Sequence, residues 1–142
     1  MELKIKAFSD LSTRELYEIL RLRSEVFIVE QKGCYQDLDG IDYDSLHLFF
    51  EDETGAVAGC VRIFPKPEEP GPVQVGRLVC RDRGTGMGRR LMEEAERMAR
   101  ARWGARQLYL TGRKSAEGFY LKCGYFIESD EISYDRFRKK LS

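Results

Sequence analysis

Residues 73–92 constrain the fold more than any other stretch of the chain, because three kinds of local structure follow one another there. Residues 73–80 are rich in β-branched and apolar side chains and follow a Pro-Gly-Pro turn, which predicts a strand. From about residue 87 to 102, apolar residues recur at helical spacing, and Gly104 is placed to end that helix. The chain is therefore predicted to pass from a strand through a short loop, residues 81–88, into a helix.

Glycines and arginines dominate this loop. Gly84, Gly86 and Gly88 alternate just before the helix, and arginines stand at positions 81, 83, 89 and 90. Glycine lets the backbone approach a ligand, and a helix N-terminus adds unpaired N–H groups and a positive dipole end. The pattern indicates a cradle for phosphate, most simply a pyrophosphate; the alternative is a tight turn without a ligand.

Two common phosphate-binding classes do not fit the loop. The Gly-x-x-x-x-Gly-Lys-Ser/Thr pattern of a P-loop is absent. A dinucleotide-binding fold has its glycines after the first strand, whereas this loop lies past the middle of the chain. Its spacing is Arg-x-x-Gly-x-Gly, formed by Arg83, Gly86 and Gly88. That spacing resembles the acetyl-CoA loop of the GCN5-related N-acetyltransferases, the GNAT superfamily.

Composition limits the class of protein. The 142 residues suit one domain, 1–142, and 42% hydrophobic residues allow a core. Basic and acidic residues number 24 each, which gives no overall attraction to nucleic acid, and no apolar run approaches the 18 or so residues of a membrane span. Four cysteines without Cys-x-x-Cys spacing and a single histidine predict no metal site. We expect reduced thiols in a cytoplasmic protein.

The order of predicted elements is β-α-loop-β-β-β-α-β-α-β-β, which indicates an α/β fold with helices on both faces of a mixed sheet. A capping box, Ser12 with Glu15, begins the first helix, whose apolar pattern continues to about residue 29 and could stay helical or loosen there. The predicted strands cover residues 2–8, 47–50, 57–64, 73–80, 107–110, 125–127 and 132–141. A short third helix is predicted over residues 115–122.

This order also resembles the GNAT order over nearly the whole chain. Residues 17–48 look like the ElaA-like branch, with an Arg-x-x-Val-Phe-x-x-Glu-Gln stretch, then Tyr-Gln-Asp and an Asp-rich run before a histidine. Residues 118–124, followed by two aromatic residues, match the Phe-Tyr-x-x-x-Gly-aromatic signature of the superfamily. The resemblance implies a mostly antiparallel sheet of about seven strands, splayed between strands four and five.

The resemblance implies direct transfer of an acetyl group from acetyl-CoA to a primary amine within a ternary complex. It assigns pantetheine pairing to the fourth strand, and a backbone N–H near Leu78–Val79 as the oxyanion donor. The implied donor-binding residues are Leu78, Val79, Cys80, Arg83, Gly84, Thr85, Gly86, Met87, Gly88, Arg89 and Tyr120.

Proton transfer needs an acid and a base. Tyr120 stands at the general-acid position of the superfamily, although it could merely pack or bind the sulfur. Many relatives carry a base on the fourth strand where this chain has Gly76. The candidate base is Glu30, with Asp37 and Asp39 behind it; a water chain is the alternative, and Glu30 could instead brace its loop. His47 is expected to be packed or hydrogen-bonded rather than catalytic.

The acceptor and two other functions stay open. The acidic run at positions 37, 39, 42 and 44 suggests a cationic acceptor or a solvated loop. Thr111-Gly112 replaces the Ala-Gln of the branch, and residues 131–134 replace its Ile-Pro-His segment, so its acceptor does not carry over. The alternatives are a non-catalytic acyl-CoA-binding module and an anion-binding protein for another nucleotide. The expected partners are acetyl-CoA, an amine and a second copy in a homodimer, without nucleic acid or membrane.

Overall fold

The computed structural model describes residues 1–66, 72–130 and 134–142. Its contacts group the chain into two compact units. The first unit contains residues 1–62 and 77–94, and the second contains residues 63–76 and 95–142. Residues 67–71, which include the first two residues of the Pro-Gly-Pro turn, and residues 131–133, which include the predicted start of the last strand, lie outside the described residues.

Seven strands form a mixed sheet in the order β1-β2-β3-β4-β5-β7-β6. They are β1 Glu2–Ala7, β2 Leu46–Glu51, β3 Val57–Pro65, β4 Pro72–Cys80, β5 Gln107–Arg113, β6 Phe126–Asp130 and β7 Tyr134–Lys140. The pairs β1–β2, β5–β7 and β6–β7 are antiparallel, whereas β4–β5 is parallel. Among the described residues that parallel pairing joins Pro72–Gln74 to Gln107–Tyr109, although both strands continue beyond it. The predicted fold class is confirmed.

The first helix, α1 Thr13–Arg23, begins at the predicted capping box. The Glu15 N–H donates to Ser12 Oγ at 3.0 Å, and the Ser12 N–H donates to Glu15 Oε1 at 2.8 Å. After Arg23 the helix widens into a π-helical turn, Ser24–Glu30. The sequence pattern therefore remains helical to residue 30, but with the wider hydrogen-bonding ring that is frequent at functional sites.

Helices cover both faces of the sheet within the first unit. Ile19 and Leu22 of α1 share a buried cluster with Cys60 of β3. The neighbouring Gly59 faces α2, Met87–Trp103, since a Cβ built there would lie 2.6 Å from Met87 Sδ and 3.3 Å from Leu91 Cδ1. Successive residues of a strand point to opposite faces, so α1 and α2 lie on opposite sides of β3.

Several boundaries differ from the predicted ones. The β5 strand runs to Arg113 rather than residue 110 and is followed by a 3₁₀ turn, Lys114–Ala116, before α3 Glu117–Lys122. The β6 strand starts one residue later than predicted, because the Tyr125 N–H still donates to Tyr120 O of the helix at 3.1 Å. Among the described residues, no helix is long and apolar enough to cross a membrane.

Candidate functional site

The glycine loop ends at the first intrahelical hydrogen bond of α2, from the Arg90 N–H to Gly86 O at 3.1 Å. The amides of residues 86–89 therefore precede the regular hydrogen bonding of the helix. Gly84 and Gly86 have φ of +73° and +80°, and no described atom lies within 4 Å of a Cβ built on either glycine. The loop thus combines left-handed backbone, open space and helix-terminal N–H groups.

Two of the arginines around this loop, Arg83 and Arg89, make only weak ion pairs. Arg83 is 79% exposed and pairs with Glu30 at 3.4 Å, and Arg89 pairs with Glu93 at 3.5 Å. Exposed ion pairs of this kind contribute little to stability, so these guanidinium groups are available to an incoming anion. Amides, dipole and guanidinium groups together fit the diphosphate of a CoA ester.

The strand that precedes the loop presents backbone rather than reactive side chains. The parallel pairing ends at Gln74, so Leu78, Val79 and Cys80 have no β5 partner among the described residues. Val79 is buried in the cluster against α1. Burial raises the pKa of the Cys80 thiol to about 11, so it is protonated near neutral pH and is not a nucleophile.

Tyr120 belongs to the second unit, where its ring is held by close packing. A Cβ at Gly112 would lie 2.6 Å from Tyr120 Cε2, so glycine at this position makes room for the ring. The ring centroids of Phe137 and Phe119 lie 5.1 and 5.3 Å from that of Tyr120. In the register of β5 and β7, Gly112 is opposite Asp135, which is fully buried and pairs with Lys114 at 2.7 Å.

Glu30 lies at the end of the π-helical turn, with its side chain 59% exposed and Oε1 3.4 Å from Arg83 Nη2. The structure thus brings the candidate base beside the glycine loop. It does not bring Asp37 and Asp39 into a carboxylate group around Glu30, because both carboxylates pair with arginines.

Those ion pairs close into a ring that the sequence analysis missed, here called the arginine–aspartate ring. Three arginines and three aspartates alternate in it, and each side chain pairs with two of the opposite charge. In order, the pairs are Arg23–Asp37 at 3.1 Å, Asp37–Arg77 at 2.8 Å, Arg77–Asp39 at 3.2 Å, Asp39–Arg62 at 2.7 Å, Arg62–Asp42 at 3.1 Å and Asp42–Arg23 at 2.8 Å. Three carboxylates of the acidic run are therefore neutralised within the protein.

His47 lies beside this ring rather than at the glycine loop. It is 3% exposed, and its Nε2 lies 2.9 Å from Asp42 O. Burial lowers the pKa of the imidazole, which favours its neutral form. The expectation of a packed, hydrogen-bonded histidine agrees with this geometry.

Comparison with known proteins decides the family. A model of the acetyltransferase (GNAT) family matches residues 13–125. The chain belongs to the GNAT acetyltransferase family. Its sequence is 35% identical to Escherichia coli ElaA over 130 residues, which cover 87% of this chain and 82% of ElaA. The ElaA crystal structure superposes with a TM-score of 0.88 at 26% identity and covers 98% of this chain and 99% of that one.

An acyl-CoA N-acyltransferase from Pseudomonas aeruginosa is similarly close, with a TM-score of 0.88, 32% identity and coverage of 97% and 98% of the two chains. The PaiA N-acetyltransferase of Thermoplasma acidophilum, solved in complex with coenzyme A, has a TM-score of 0.72 at 18% identity over 99% of both chains and shows the fold alone. The predicted ElaA-like branch is confirmed. Family membership makes this protein an acyl-CoA-dependent acyltransferase of the GNAT type.

Proposed function

We propose that the protein transfers an acetyl group from acetyl-CoA to a primary amine by direct attack in a ternary complex, with residues 1–142 acting as one GNAT domain. The observation that carries the proposal is the glycine loop, where left-handed glycines and open space precede the first turn of α2. Membership of the acyltransferase family and the coenzyme A complex of a protein with the same fold support acetyl-CoA as the donor.

The proposed donor site uses backbone more than side chains. The amides of residues 86–89, with the Arg83 and Arg89 side chains, would bind the diphosphate. Gly84, Thr85, Met87 and Gly88 complete the loop. The backbone edge of Leu78, Val79 and Cys80, beyond the pairing of β4 with β5 among the described residues, would pair with the pantetheine amides.

The donor supplies a thioester, and the protein supplies hydrogen bonds and proton transfer. An N–H of Leu78 or Val79 would donate to the thioester oxygen as it gains negative charge. Tyr120 would give its phenolic proton to the departing thiolate, and Glu30 would take the proton of the acceptor ammonium, directly or through water. The packing of the Tyr120 ring on Gly112 and Phe137 supports the role of Tyr120 as general acid, because a proton donor must be held in place.

The proposed acceptor is the primary amine of a small cationic metabolite or of a peptide or protein. Asp37, Asp39 and Asp42 do not form its binding site, because the arginine–aspartate ring already neutralises them. A homodimer stays a prediction. We propose a cytoplasmic location because all four cysteines are free thiols, as expected in a reducing compartment.

The test compares thermal unfolding with acetyl-CoA, CoA, ATP and NAD at matched concentrations, followed by thiol release over a panel of primary amines. A ligand present at 100 times its Kd adds about 2.7 kcal/mol to the free energy of unfolding. We expect stabilisation by acetyl-CoA and CoA only, and thiol release with at least one amine. Tyr120→Phe should keep the CoA-induced shift and lower turnover by about 100-fold.

Other results contradict the proposal in distinct ways. Equal stabilisation by ATP or NAD would leave only a general phosphate-binding loop. Stabilisation by CoA without thiol release for any amine would favour the non-catalytic acyl-CoA-binding module. Wild-type turnover in Tyr120→Phe would remove the acid role from Tyr120.

A further inference from the structure

One residue of the arginine–aspartate ring, Arg77, has an unusual backbone conformation. Arg77 has φ of +53°, and Lys32 is the other non-glycine residue with positive φ among the described parts of the chain. Such a conformation is unfavourable for a residue with a side chain and persists only where surrounding contacts enforce it. Arg77 lies inside β4, directly before Leu78. Contacts of the Arg77 side chain must therefore hold this backbone conformation.

The side chain of Arg77 contacts both neighbouring aspartates of the ring and one backbone carbonyl. Its Nε lies 2.8 Å from Asp37 Oδ1, and its Nη2 donates to Asp39 Oδ2 and to Asp37 O, each at 3.2 Å. The ring of Tyr35 lies over the same guanidinium, with its centroid 5.4 Å from Cζ. A shift of Arg77 would break contacts with three residues at once.

The two aspartates that hold Arg77 cannot follow such a shift. Asp37 also pairs with Arg23 at the end of α1, and Asp39 also pairs with Arg62 in β3. Arg23 and Arg62 have side chains only 1% and 4% exposed. Removing one partner from buried ion pairs leaves an uncompensated charge, which is strongly unfavourable. The ring therefore anchors Arg77 to two other elements of the first unit.

We propose that the arginine–aspartate ring is a positioning device for acyl transfer, and that Arg77 fixes the β4 backbone so that the following N–H, that of Leu78, can bind the thioester oxygen. The dihedral angles of Arg77 orient the peptide unit that carries this N–H. The inference rests on the proposed function and adds Arg77, Asp37 and Asp39 as positioning residues. Hydrogen-bond donors of this kind stabilise developing charge only when they are held in advance.

The first test compares two aspartates of the ring, of which only one contacts Arg77. Asp39 contacts Arg77, whereas Asp42 contacts only Arg23 and Arg62 within the ring. Asp42 has a side chain 9% exposed against 24% for Asp39. We expect Asp42→Asn to lower the unfolding temperature more, and Asp39→Asn to lower kcat more, at a temperature where both variants are folded. If the ring serves only stability, Asp42→Asn should lower both the unfolding temperature and kcat more than Asp39→Asn does. That result would overturn the proposal.

The second test separates backbone strain from side-chain anchoring. Glycine accepts positive φ without strain, so Arg77→Gly removes the guanidinium but not the conformation. Lys32→Gly is the matched control, because Lys32 has φ of +54° and lies outside the ring. We expect Arg77→Gly to lower kcat about 10-fold or more, with little change in the KM for acetyl-CoA, and Lys32→Gly to keep wild-type kcat. Wild-type kcat in Arg77→Gly would overturn the proposal.

A readout without turnover separates this inference from the proposed function. Hydrogen exchange of the amides in residues 75–80 should become faster in Arg77→Gly and stay unchanged in Lys32→Gly. If the wild-type protein transfers no acetyl group, the proposed function fails, while faster exchange still establishes that the ring fixes β4. Unchanged exchange in Arg77→Gly shows that the ring does not position this backbone and overturns the inference.

Discussion

At the scale of single residues, Glu30 has two candidate roles that predict different kinetics. As the base it would accept a proton from the acceptor ammonium, whereas its contact with Arg83 would make it a brace for the donor loop. We expect Glu30→Gln to lower kcat about 100-fold with little change in the KM for acetyl-CoA, since glutamine accepts no proton. Steady-state kinetics with acetyl-CoA and the acceptor amine measures both quantities.

The matched control for this prediction is Glu93→Gln. Glu93 pairs with Arg89, another exposed arginine beside the loop, at a similar distance of 3.5 Å. The Glu93→Gln variant should keep the wild-type kcat and change at most the KM for acetyl-CoA. If Glu30→Gln behaves in the same way, Glu30 is a brace and the base is another group or a water chain.

The arginine–aspartate ring could not be predicted from the sequence. The sequence indicated Asp37 and Asp39 as further candidates for the base after Glu30, and it did not predict that they pair with arginines in a ring. Asp39 and Arg77 are separated by 38 positions in the chain. A pairing over that separation depends on how the loop packs against β3 and β4, and no local propensity encodes it.

At the scale of elements, α2 offers a test of the glycine loop with an internal control. Gly86 and Gly104 flank the two ends of this helix, have φ of +80° and +61°, and have no described atom within 4 Å of a built Cβ. Alanine at either position should cost a comparable 1 kcal/mol or so of stability, because the strain is the same. Only Gly86→Ala should weaken CoA binding, since only Gly86 belongs to the proposed diphosphate site. Calorimetric titration with CoA measures the difference, and equal affinities for both variants would remove Gly86 from the donor site.

Element ends were predicted best where a short sequence signal sets them. The capping box at Ser12 and the glycine at 104 determine local hydrogen bonds and positive φ, so neighbouring residues suffice to identify them. The π-helical turn, Ser24–Glu30, could not be predicted in the same way. Its residues have an ordinary helical pattern, and the wider turn depends on packing and on the loop that follows.

At the scale of the whole molecule, stability depends on ionised carboxylates that lose part of their hydration on folding. Burial alone would raise the pKa of Glu15, but the Ser12 N–H and the ammonium groups of Lys6 and Lys4 outweigh it and lower that pKa to about 2. Burial likewise opposes ionisation of Asp39, and the Arg62 hydrogen bonds and the Ile41 N–H hold its pKa at about 2. Both carboxylates bind protons more tightly in the unfolded chain. Their contribution to stability is therefore complete above the ordinary carboxylate pKa and is lost as the pH falls toward 2.

The acid dependence of unfolding tests this account through Glu15. The side chain is 6% exposed, so its lowered pKa corresponds to on the order of 2 kcal/mol of unfolding free energy at neutral pH. We expect Glu15→Gln to be less stable than wild type at pH 7 and to approach it near pH 2, because glutamine has no proton to gain. Ser12→Ala is the control: it removes the hydroxyl cap but keeps the Glu15 carboxylate with both lysines, so it should lower stability by about 1 kcal/mol at every pH. Denaturant titrations from pH 2 to 7 give these free energies. A Glu15→Gln curve parallel to wild type would show that another group, and not the Glu15 carboxylate, sets the acid stability of the protein.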